Sequence, residues 1–402
     1  MRPRTGAADG VGAAPVTANP ATLRAINDAA ALDLLLRSGP LSRAQLARLT
    51  GLSKPTAGQL LTRLTEQRLV VEQGETSGSP GPNARLYALN PRAAFVGMLD
   101  VTEVGVRAAI ADISGAVLAQ LSLDVDFRND ADPVPPVRTL LADTARRAGV
   151  RLRDLHHVGL GVPTAYDSTE DTLGFAAHVP GWARPGVLSR LRAALRTDVV
   201  VENDVNLAAI WERAHGRAQG VPAFVLLWVG EGMGLAIDFG GVLYEGARGR
   251  AGELGYMPLG LSAADEAAPP PTFDDLAGAP AVARLAEAYG FAPVAEQAVA
   301  EAAVNLSRGM PFLSDLARRL AGGLAPVVAV LDPPLVVLAG STCVAGGEPL
   351  VRLVSHELQA ISPFDTPLVL TAAQGSPVLD GGLEAALARA RESVLGLRRA
   401  SA

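Results

Sequence analysis

The spacing of apolar residues predicts a helix near the start of the chain. From residue 20, apolar side chains recur three or four positions apart, the period of a helix with one buried face, at Leu23, Ile26, Ala30 and Leu34. Pro20 suits the first helical position, and Asn19 suits the cap before it. Ser38-Gly39-Pro40 ends the helix. Residues 1–19 show no such period, and we expect them to be a disordered tail.

Two shorter helices joined by a glycine turn follow. Ser42 and Gln45 have the spacing of a capping box at the start of the first, and Gly51 permits a turn at its end. Ser53 caps the second helix, whose apolar side is formed by Ala57, Leu61 and Leu64. Its opposite side carries Lys54, Thr56, Gln59 and Arg63. This pattern is typical of a helix-turn-helix whose second helix exposes polar and basic groups.

Residues 69–90, LVVEQGETSGSPGPNARLYALN, predict a strand, a Gly/Ser/Pro-rich loop and a second strand, which together form a wing. Residues 1–92 hold 11 Arg and Lys against 6 Asp and Glu, a net charge of +5, although the whole chain carries −6. This local charge favours a head that contacts a polyanion over a helical hairpin with a solvated face. The residues expected to contact DNA are Ser53, Lys54, Thr56, Gln59, Arg63 and, beside the wing, Arg85.

Beyond residue 91, strands and helices alternate. Three apolar runs joined by tight turns are followed by a helix, a strand and another helix, and a similar succession resumes near Pro222. Such a repeat predicts an α/β body of two lobes with a cleft between them. The sequence therefore divides into a tail (1–19), a winged helix-turn-helix domain (20–91) and a two-lobed body (92–402), whose second lobe begins near 222.

The composition excludes several kinds of site and segment. The single cysteine, Cys343, excludes an internal disulfide framework and a multi-cysteine zinc site, and the five histidines show no spacing such as HExxH. The N-terminal residues lack the apolar core of a signal peptide, and the apolar runs are too short or too interrupted to cross a bilayer. We expect a cytoplasmic protein that has no membrane contact, metal or cofactor.

Residues 200–212, VVENDVNLAAIWE, contain a polar pair suited to ligand binding and proton transfer. A short apolar strand ends at Asn203 and Asp204, where a helix begins. An amide and a carboxylate at the mouth of a strand can bind a polyhydroxylated ligand, and the carboxylate can take a proton from one of its hydroxyls. The alternative is that Asp204 is the N-cap of the helix. The two roles are compatible.

Five segments, found in order, resemble the ROK family (repressors, open reading frames, kinases). They are GLGVPTAYD, VPGW, VVENDVNLAA, LYEGARGRAGELGYMPLG and LDPPLVVLAG. The resemblance, which begins near residue 21, implies an actin-like (sugar kinase/ribonuclease H-like) fold and a head like that of the family's regulators. It assigns sugar binding to Asn203, Asp204 and Glu253, to Tyr256 in place of the family's histidine, and to Asp274. Residues 261–278 contain no cysteine, which implies that the family's structural zinc site is lost.

Two loops depart from the family's ATP site. Residues 100–104 read Asp-Val-Thr-Glu-Val where the family has Asp-x-Gly-Gly-Thr, and residues 230–234 read Gly-Glu-Gly-Met-Gly where it has Gly-Thr-Gly-x-Gly. In the family, the two glycines of the first loop let backbone N–H groups approach the phosphates, but this chain has Thr102 and Glu103 at those positions. Each loop has also gained a carboxylate, Glu103 in the first and Glu231 in the second. Like unit charges 4 Å apart repel by about 4 kcal/mol near a protein surface. ATP binding is therefore not expected.

These observations favour a transcriptional regulator, with repression as its expected action, whose inactive kinase-like body senses a sugar or sugar phosphate. It would bind a pseudo-palindromic operator in double-stranded DNA as a homodimer or homotetramer, and its ligand would bias the spacing of the heads. Two alternatives stay open. One is an ATP-dependent sugar kinase with an appended DNA-binding head, and the other is a regulator whose body only dimerises or binds a different metabolite.

Overall fold

The structure is a computed structural model that describes residues 20–75, 84–129, 131–174, 179–260 and 270–397. These residues form two compact units. One contains the described residues up to Asn90 together with Ser393–Leu397, and the other runs from Pro91 to Glu392. The predicted tail, including the cap position Asn19, lies outside the described residues.

The first unit contains the three helices and the two wing strands that the sequence predicts. Its elements are α1 (Pro20–Ser38), β1 (Leu41–Ser42), α2 (Arg43–Thr50), α3 (Lys54–Glu66), β2 (Val70–Glu75) and β3 (Arg85–Leu89). The strands pair in the order β1-β3-β2. Residues 76–83, which would form the tip of the wing, lie outside the described residues.

Capping explains where the helices of this unit begin and end. The Gln45 N–H donates to Ser42 Oγ at 3.3 Å, and the Ser42 N–H donates to the Gln45 side chain at 2.8 Å, which completes the predicted capping box. Gly51 ends α2 with a φ of 71°, in the left-handed region. Ser53 Oγ accepts from the Thr56 N–H at 3.3 Å and starts α3. The predicted buried side of α3 is confirmed, with Leu60 added, at Ala57, Leu60, Leu61 and Leu64.

The second unit begins with a five-stranded sheet. Its strands and the helices around it are β4 (Phe95–Thr102), β5 (Gly105–Asp112), β6 (Val117–Asp124), α4 (Val134–Arg147), β7 (Leu155–Val162), β8 (Ala165–Asp167), β9 (Thr172–Gly174), α5 (Val187–Leu195), β10 (Asp198–Asn203) and α6 (Asp204–His215). The sheet order is β10-β7-β4-β5-β6, and β8 and β9 form a separate pair.

A second five-stranded sheet follows. Its elements are β11 (Ala223–Val229), β12 (Met233–Phe239), β13 (Val242–Leu243), α7 (Phe273–Ala277), α8 (Ala279–Ala288), α9 (Ala295–Val304), α10 (Leu306–Leu331), β14 (Val336–Ala339), α11 (Ser341–Ile361), β15 (Leu368–Leu370) and α12 (Pro377–Leu395). The sheet order is β13-β12-β11-β14-β15.

The two sheets repeat one arrangement. In each, the first strand is central, pairs antiparallel with the second on one side, and pairs parallel with a later strand on the other. Each sheet also has its own buried apolar core. The two-lobed body is thus present, and its second lobe opens with Ala223, next to the predicted start near 222. No helix among the described residues is long and apolar enough to cross a membrane.

Candidate functional sites

The body contains a cavity of about 740 Å³ lined by residues of both lobes. Its wall includes residues that follow the carboxyl ends of β4, β7, β10, β11, β14 and β15. The carboxyl ends of strands are where α/β folds bind ligands, because the adjoining loops converge there. Three of the five predicted ligand-binding residues, Asn203, Asp204 and Glu253, lie in this wall.

Asn203, and not Asp204, is the N-cap of α6. Its Oδ1 accepts from the N–H groups of Val205 at 2.9 Å and Asn206 at 3.3 Å, and its Nδ2 lies 3.4 Å from the Thr164 carbonyl oxygen, to which it donates. The interpretation of Asp204 as the cap is therefore wrong. Asp204 is the first residue of the helix, and its carboxylate accepts from the Val205 N–H at 2.8 Å.

Glu202 is a supporting residue that the sequence analysis missed. Its Oε1 accepts from the Asn203 N–H at 2.9 Å and from Asn206 Nδ2 at 2.8 Å. Burial raises the pKa of Glu202 to about 7, while the Asn206 hydrogen bond lowers it. The sequence offers a signal for this position, because a polar residue that follows directly on the apolar run 199–201 of a strand needs polar partners. Glu202 holds the turn that presents Asn203 and Asp204.

Asp204 lies in a crowded negative environment. Its pKa is raised to about 7, chiefly by burial and also by the nearby carboxylates of Asp100 and Glu253, against the lowering effect of the Val205 N–H. Burial also raises the pKa of Glu253, which Arg250 partly offsets. Such carboxylates can accept hydrogen bonds from hydroxyl groups, and a pKa near 7 suits a proton acceptor.

Asp100 is the most enclosed of these acids, with 2% of its surface exposed. Its carboxylate is 3.2 Å from Arg107 Nε and accepts from Ser376 Oγ at 3.1 Å. Burial still raises its pKa above the ordinary value. Asp100 is thus an internally paired part of the cavity wall.

Glu253 is positioned by the glycine before it. Gly252 has a φ of 91°, a left-handed conformation, and a Cβ at this position would clash with the Leu235 carbonyl oxygen. The backbone N–H of Leu235 also donates to the Gly252 carbonyl oxygen at 2.8 Å and holds the two segments together. The backbone at residue 252 therefore approaches β12 only because it has no side chain, and Glu253 follows directly from this contact.

The structure does not place Tyr256 and Asp274 in the cavity wall. Tyr256 follows Glu253 in a short 3-10 turn and is 53% exposed, and Asp274 lies in α7. Desolvation raises the pKa of Tyr256, with added effects from Glu253 and Asp274, so the three residues are neighbours. Ligand contact by Tyr256 and Asp274 stays a prediction that the cavity geometry does not support. Residues 261–269, where the family's zinc-binding cysteines are missing, lie outside the described residues.

Both acquired carboxylates, Glu103 and Glu231, line the same cavity as Asp204. Glu103 belongs to the turn after β4, and Glu231 to the turn after β11. The pKa of Arg128 is raised mainly by Asp126, which accepts a hydrogen bond from Arg128 Nε at 2.8 Å. The charges of Glu103 and Glu231 raise it further. The two glutamates, which come from different lobes, therefore act on one shared region.

The described residues contain no group of three or more His, Cys, Asp and Glu side chains arranged to hold a metal ion. Cys343 is fully buried in α11, and burial raises the pKa of its thiol to about 12. It is a small apolar core residue and not a candidate ligand or nucleophile.

In the head, α3 exposes the residues predicted to contact DNA. Ser53, Lys54, Thr56 and Gln59 are all exposed. The hydroxyls of Ser53 and Thr56 lie 2.8 Å apart and hydrogen-bond to each other. A shallow surface groove beside them is lined by Arg43, Lys54, Pro55, Gly58, Gln59, Thr62, Arg63 and Glu66. Groove and helix together form a polar, basic surface.

Two of the predicted DNA contacts have partners inside the head. Arg63 makes a two-pronged ion pair with Asp28 of α1, and its side chain is 34% exposed. Arg85 pairs with Glu72 across the wing strands at 3.1 Å, with 66% of its side chain exposed. An exposed pair such as Arg85–Glu72 exchanges readily for a phosphate. The Asp28 pair gives Arg63 a structural role that the pattern of α3 alone did not indicate.

Arg43 was missed. It is exposed at the start of α2, and its guanidinium lies over Gly58 of α3, where a Cβ would be 3.5 Å from Nη1. This proximity arises between two helices, so the periodicity of either helix alone gives no sign of it. Arg43 adds a third basic side chain to the groove, beside Lys54 and Arg63.

Comparison with known families agrees with both halves of this description. The ROK family matches residues 101–376, and the MarR family matches residues 24–78. The chain is 24% identical to the xylose repressor of Bacillus spizizenii over 241 residues, which are 59% of this chain and 61% of that protein. It is 34% identical to the bifunctional enzyme NanE/NanK of Brucella suis over 190 residues, 46% of this chain and 34% of that enzyme. These matches span about three-fifths and one-third of the relatives' lengths.

Among solved structures, the chain resembles a ROK family transcriptional regulator described as a homologue of the E. coli MLC protein. The TM-score is 0.70 at 18% identity, and the match covers 93% of this chain and 98% of that one. At this identity the likeness shows the fold alone, a winged head followed by a two-lobed body. Since the family match extends over most of the body and the head is of the MarR type, the chain belongs to the ROK family.

Proposed function

We propose that this protein is a DNA-binding repressor whose body senses a sugar-like metabolite and does not transfer phosphate. The head would bind operator DNA through α3, with Lys54 and Gln59 directed to the major groove. The cavity of the body would bind the effector through Asn203, Asp204 and Glu253. Effector binding would then change the affinity of the head for its operator through a coupling free energy between the two sites.

The observation that carries this proposal is the presence of Glu103 and Glu231 in the same cavity as Asp204. A kinase of this fold needs a cradle for the ATP phosphates beside its general base. Here that region presents two carboxylates, and each would repel a phosphate by about 4 kcal/mol at a separation of 4 Å. The remaining half of the cavity keeps acceptors suited to hydroxyl groups.

A sugar kinase with an appended DNA-binding head is the second candidate. Two observations favour it: the pKa of Asp204, raised chiefly by burial to about 7, suits a general base, and 190 residues of the chain are 34% identical to part of NanE/NanK. The two glutamates count against it, because a metal ion would have to offset both carboxylates and the triphosphate charge.

Phosphoryl transfer separates the two candidates. The full chain would be incubated with Mg-ATP and, in turn, D-glucose, D-xylose and N-acetyl-D-mannosamine, with ADP release measured against a no-sugar control. We expect no sugar-dependent ADP. Sugar-dependent ADP that disappears in Asp204→Asn would identify a kinase and contradict the proposal.

DNA binding is tested in the same preparation. Anisotropy of labelled duplex from upstream of the protein's own gene, compared with a scrambled duplex at a stated physiological salt concentration, should show selective binding. Equal and weak affinity for both duplexes would count against the head as a specific reader of that DNA.

A further inference from the structure

The charge of the cavity wall identifies the class of ligand more narrowly than a sugar or sugar phosphate. Six carboxylates line the cavity: Asp100, Glu103, Asp204, Glu231, Glu253 and Glu296. They come from both lobes. Among the described residues of the wall, Arg107 is the single basic side chain, and its guanidinium is already paired with Asp100 at 3.2 Å.

Helix N-termini in the wall oppose this negative charge. Three helices begin in the wall, α6 at Asp204, α11 at Ser341 and α12 at Pro377. Each helix N-terminus acts as about half a positive charge, so together they supply roughly one and a half. Asn203 already occupies two N–H groups at the start of α6. The wall therefore stays net negative after the helices and Arg107 are included, even with Asp204 partly protonated near neutral pH.

We propose that the effector is an unphosphorylated polyhydroxylated molecule, and that Glu103 and Glu231 are the residues that exclude its phosphorylated form. This inference rests on the proposed function, since it concerns the ligand of the same cavity. Hydroxyl groups donate hydrogen bonds to carboxylates, whereas a phosphate offers only acceptors and about two negative charges near neutral pH. The same two carboxylates that oppose ATP thus also select the effector.

Glu103 and Glu231 are the residues to change because neither forms part of the sugar-binding group assigned above. They lie in turns of opposite lobes, and both act electrostatically on Arg128. Arg128 does not line the cavity, and it hydrogen-bonds to Asp126. Asp126 therefore offsets much of the Arg128 charge, and Arg128 adds no basic side chain to the cavity wall.

Matched pairs of probes test the inference. Isothermal titration of the full chain would use D-glucose, D-ribose and N-acetyl-D-mannosamine, each beside its terminal phosphate ester. For any sugar that binds, we expect the ester to bind at least tenfold more weakly. In the double variant Glu103→Gln/Glu231→Gln, the ester should gain at least tenfold in affinity, while the free sugar should change by less than threefold.

The outcomes separate this inference from the proposed function. An ester that binds as tightly as its sugar overturns the inference but leaves an effector-responsive regulator in place. Unchanged discrimination in the double variant rejects Glu103 and Glu231 as the excluding residues. If no probe binds, while D-glucose, D-ribose and N-acetyl-D-mannosamine also fail to release the operator duplex, the sugar-effector proposal fails and this inference fails with it.

Discussion

At the scale of single residues, Asp204 combines a candidate ligand contact with an electrostatic cost. Its pKa is about 7 in the folded chain, raised by burial and by Asp100 and Glu253, against 3.8 for an ordinary aspartate. The folded protein therefore holds a proton that the unfolded chain has released. Stability from this group falls as pH rises from about 4 to about 7, because the unfolded state binds fewer protons in that interval.

We predict that Asp204→Asn removes this pH dependence. One pKa unit corresponds to about 1.4 kcal/mol, so the variant should exceed the wild type by on the order of 2–4 kcal/mol in unfolding free energy at pH 7.5, and by little at pH 4. Urea denaturation followed by tryptophan fluorescence is suitable, since Trp182, Trp211 and Trp228 all lie in the body. A constant difference across this pH range would show that Asp204 is not the titrating group.

Asn203 makes a separate structural contribution as the N-cap of α6. Asn203→Ala should lower the unfolding free energy of the body by about 1 kcal/mol, since it removes the acceptor for two backbone N–H groups. Asn203→Ser is the matched control, because serine keeps a capping oxygen and should recover most of the loss. Equal losses in both variants would mean that the Thr164 contact, and not the cap, stabilises this turn.

The cap assignment shows how precisely a residue pattern locates the boundary between two elements. Sequence placed a polar pair at the junction of a strand and a helix, and the structure has that junction between β10 and α6. Which of Asn203 and Asp204 caps the helix depends on a shift of one residue in the end of the strand. Periodicity does not resolve a shift of that size.

At the scale of elements, the helices of the head could be predicted from the sequence because they carry local signals. Capping residues and a glycine turn located both ends of α2 and the start of α3 to within a residue, and the apolar period gave the buried side of α3. The partners of Arg63 and Arg43 were not accessible, because Asp28 and Gly58 lie on other helices. Contacts between elements need the packed structure.

Lys54 and Arg63 should therefore behave differently in the head. Lys54→Ala should weaken operator binding and lower the salt dependence of binding by about one counterion, without loss of stability, because Lys54 is exposed. Arg63→Ala should weaken binding and also destabilise the head by about 1 kcal/mol, through loss of the Asp28 pair. Anisotropy over a salt series and thermal unfolding would measure the two effects.

Asp28→Ala is the matched control for Arg63. It removes the same ion pair but leaves the guanidinium available to DNA, so it should reproduce the loss of stability and retain operator affinity. If Asp28→Ala weakens operator binding as much as Arg63→Ala does, Arg63 supports the head and does not contact DNA.

At the scale of the whole molecule, the repeated strand order made the body recognisable, since the same succession of strands and helices occurs twice in the sequence. The wall of the cavity was only partly predictable. Asn203, Asp204 and Glu253 lie within segments that resemble the family's motifs, and all three line the same cavity. Tyr256 and Asp274 flank a loop rich in alanine and proline, and there a family pattern does not fix which residue faces the cavity.

The central claim is that one chain joins a specific DNA reader to a cavity that controls it. The most direct measurement is anisotropy of labelled upstream duplex bound by the full chain, with and without the unphosphorylated sugars, for the wild type and Asp204→Ala. We predict that one sugar lowers wild-type operator affinity at least tenfold, and that Asp204→Ala binds the duplex as tightly but no longer responds. Operator binding that none of these sugars changes, or an equal response in Asp204→Ala, would contradict the account.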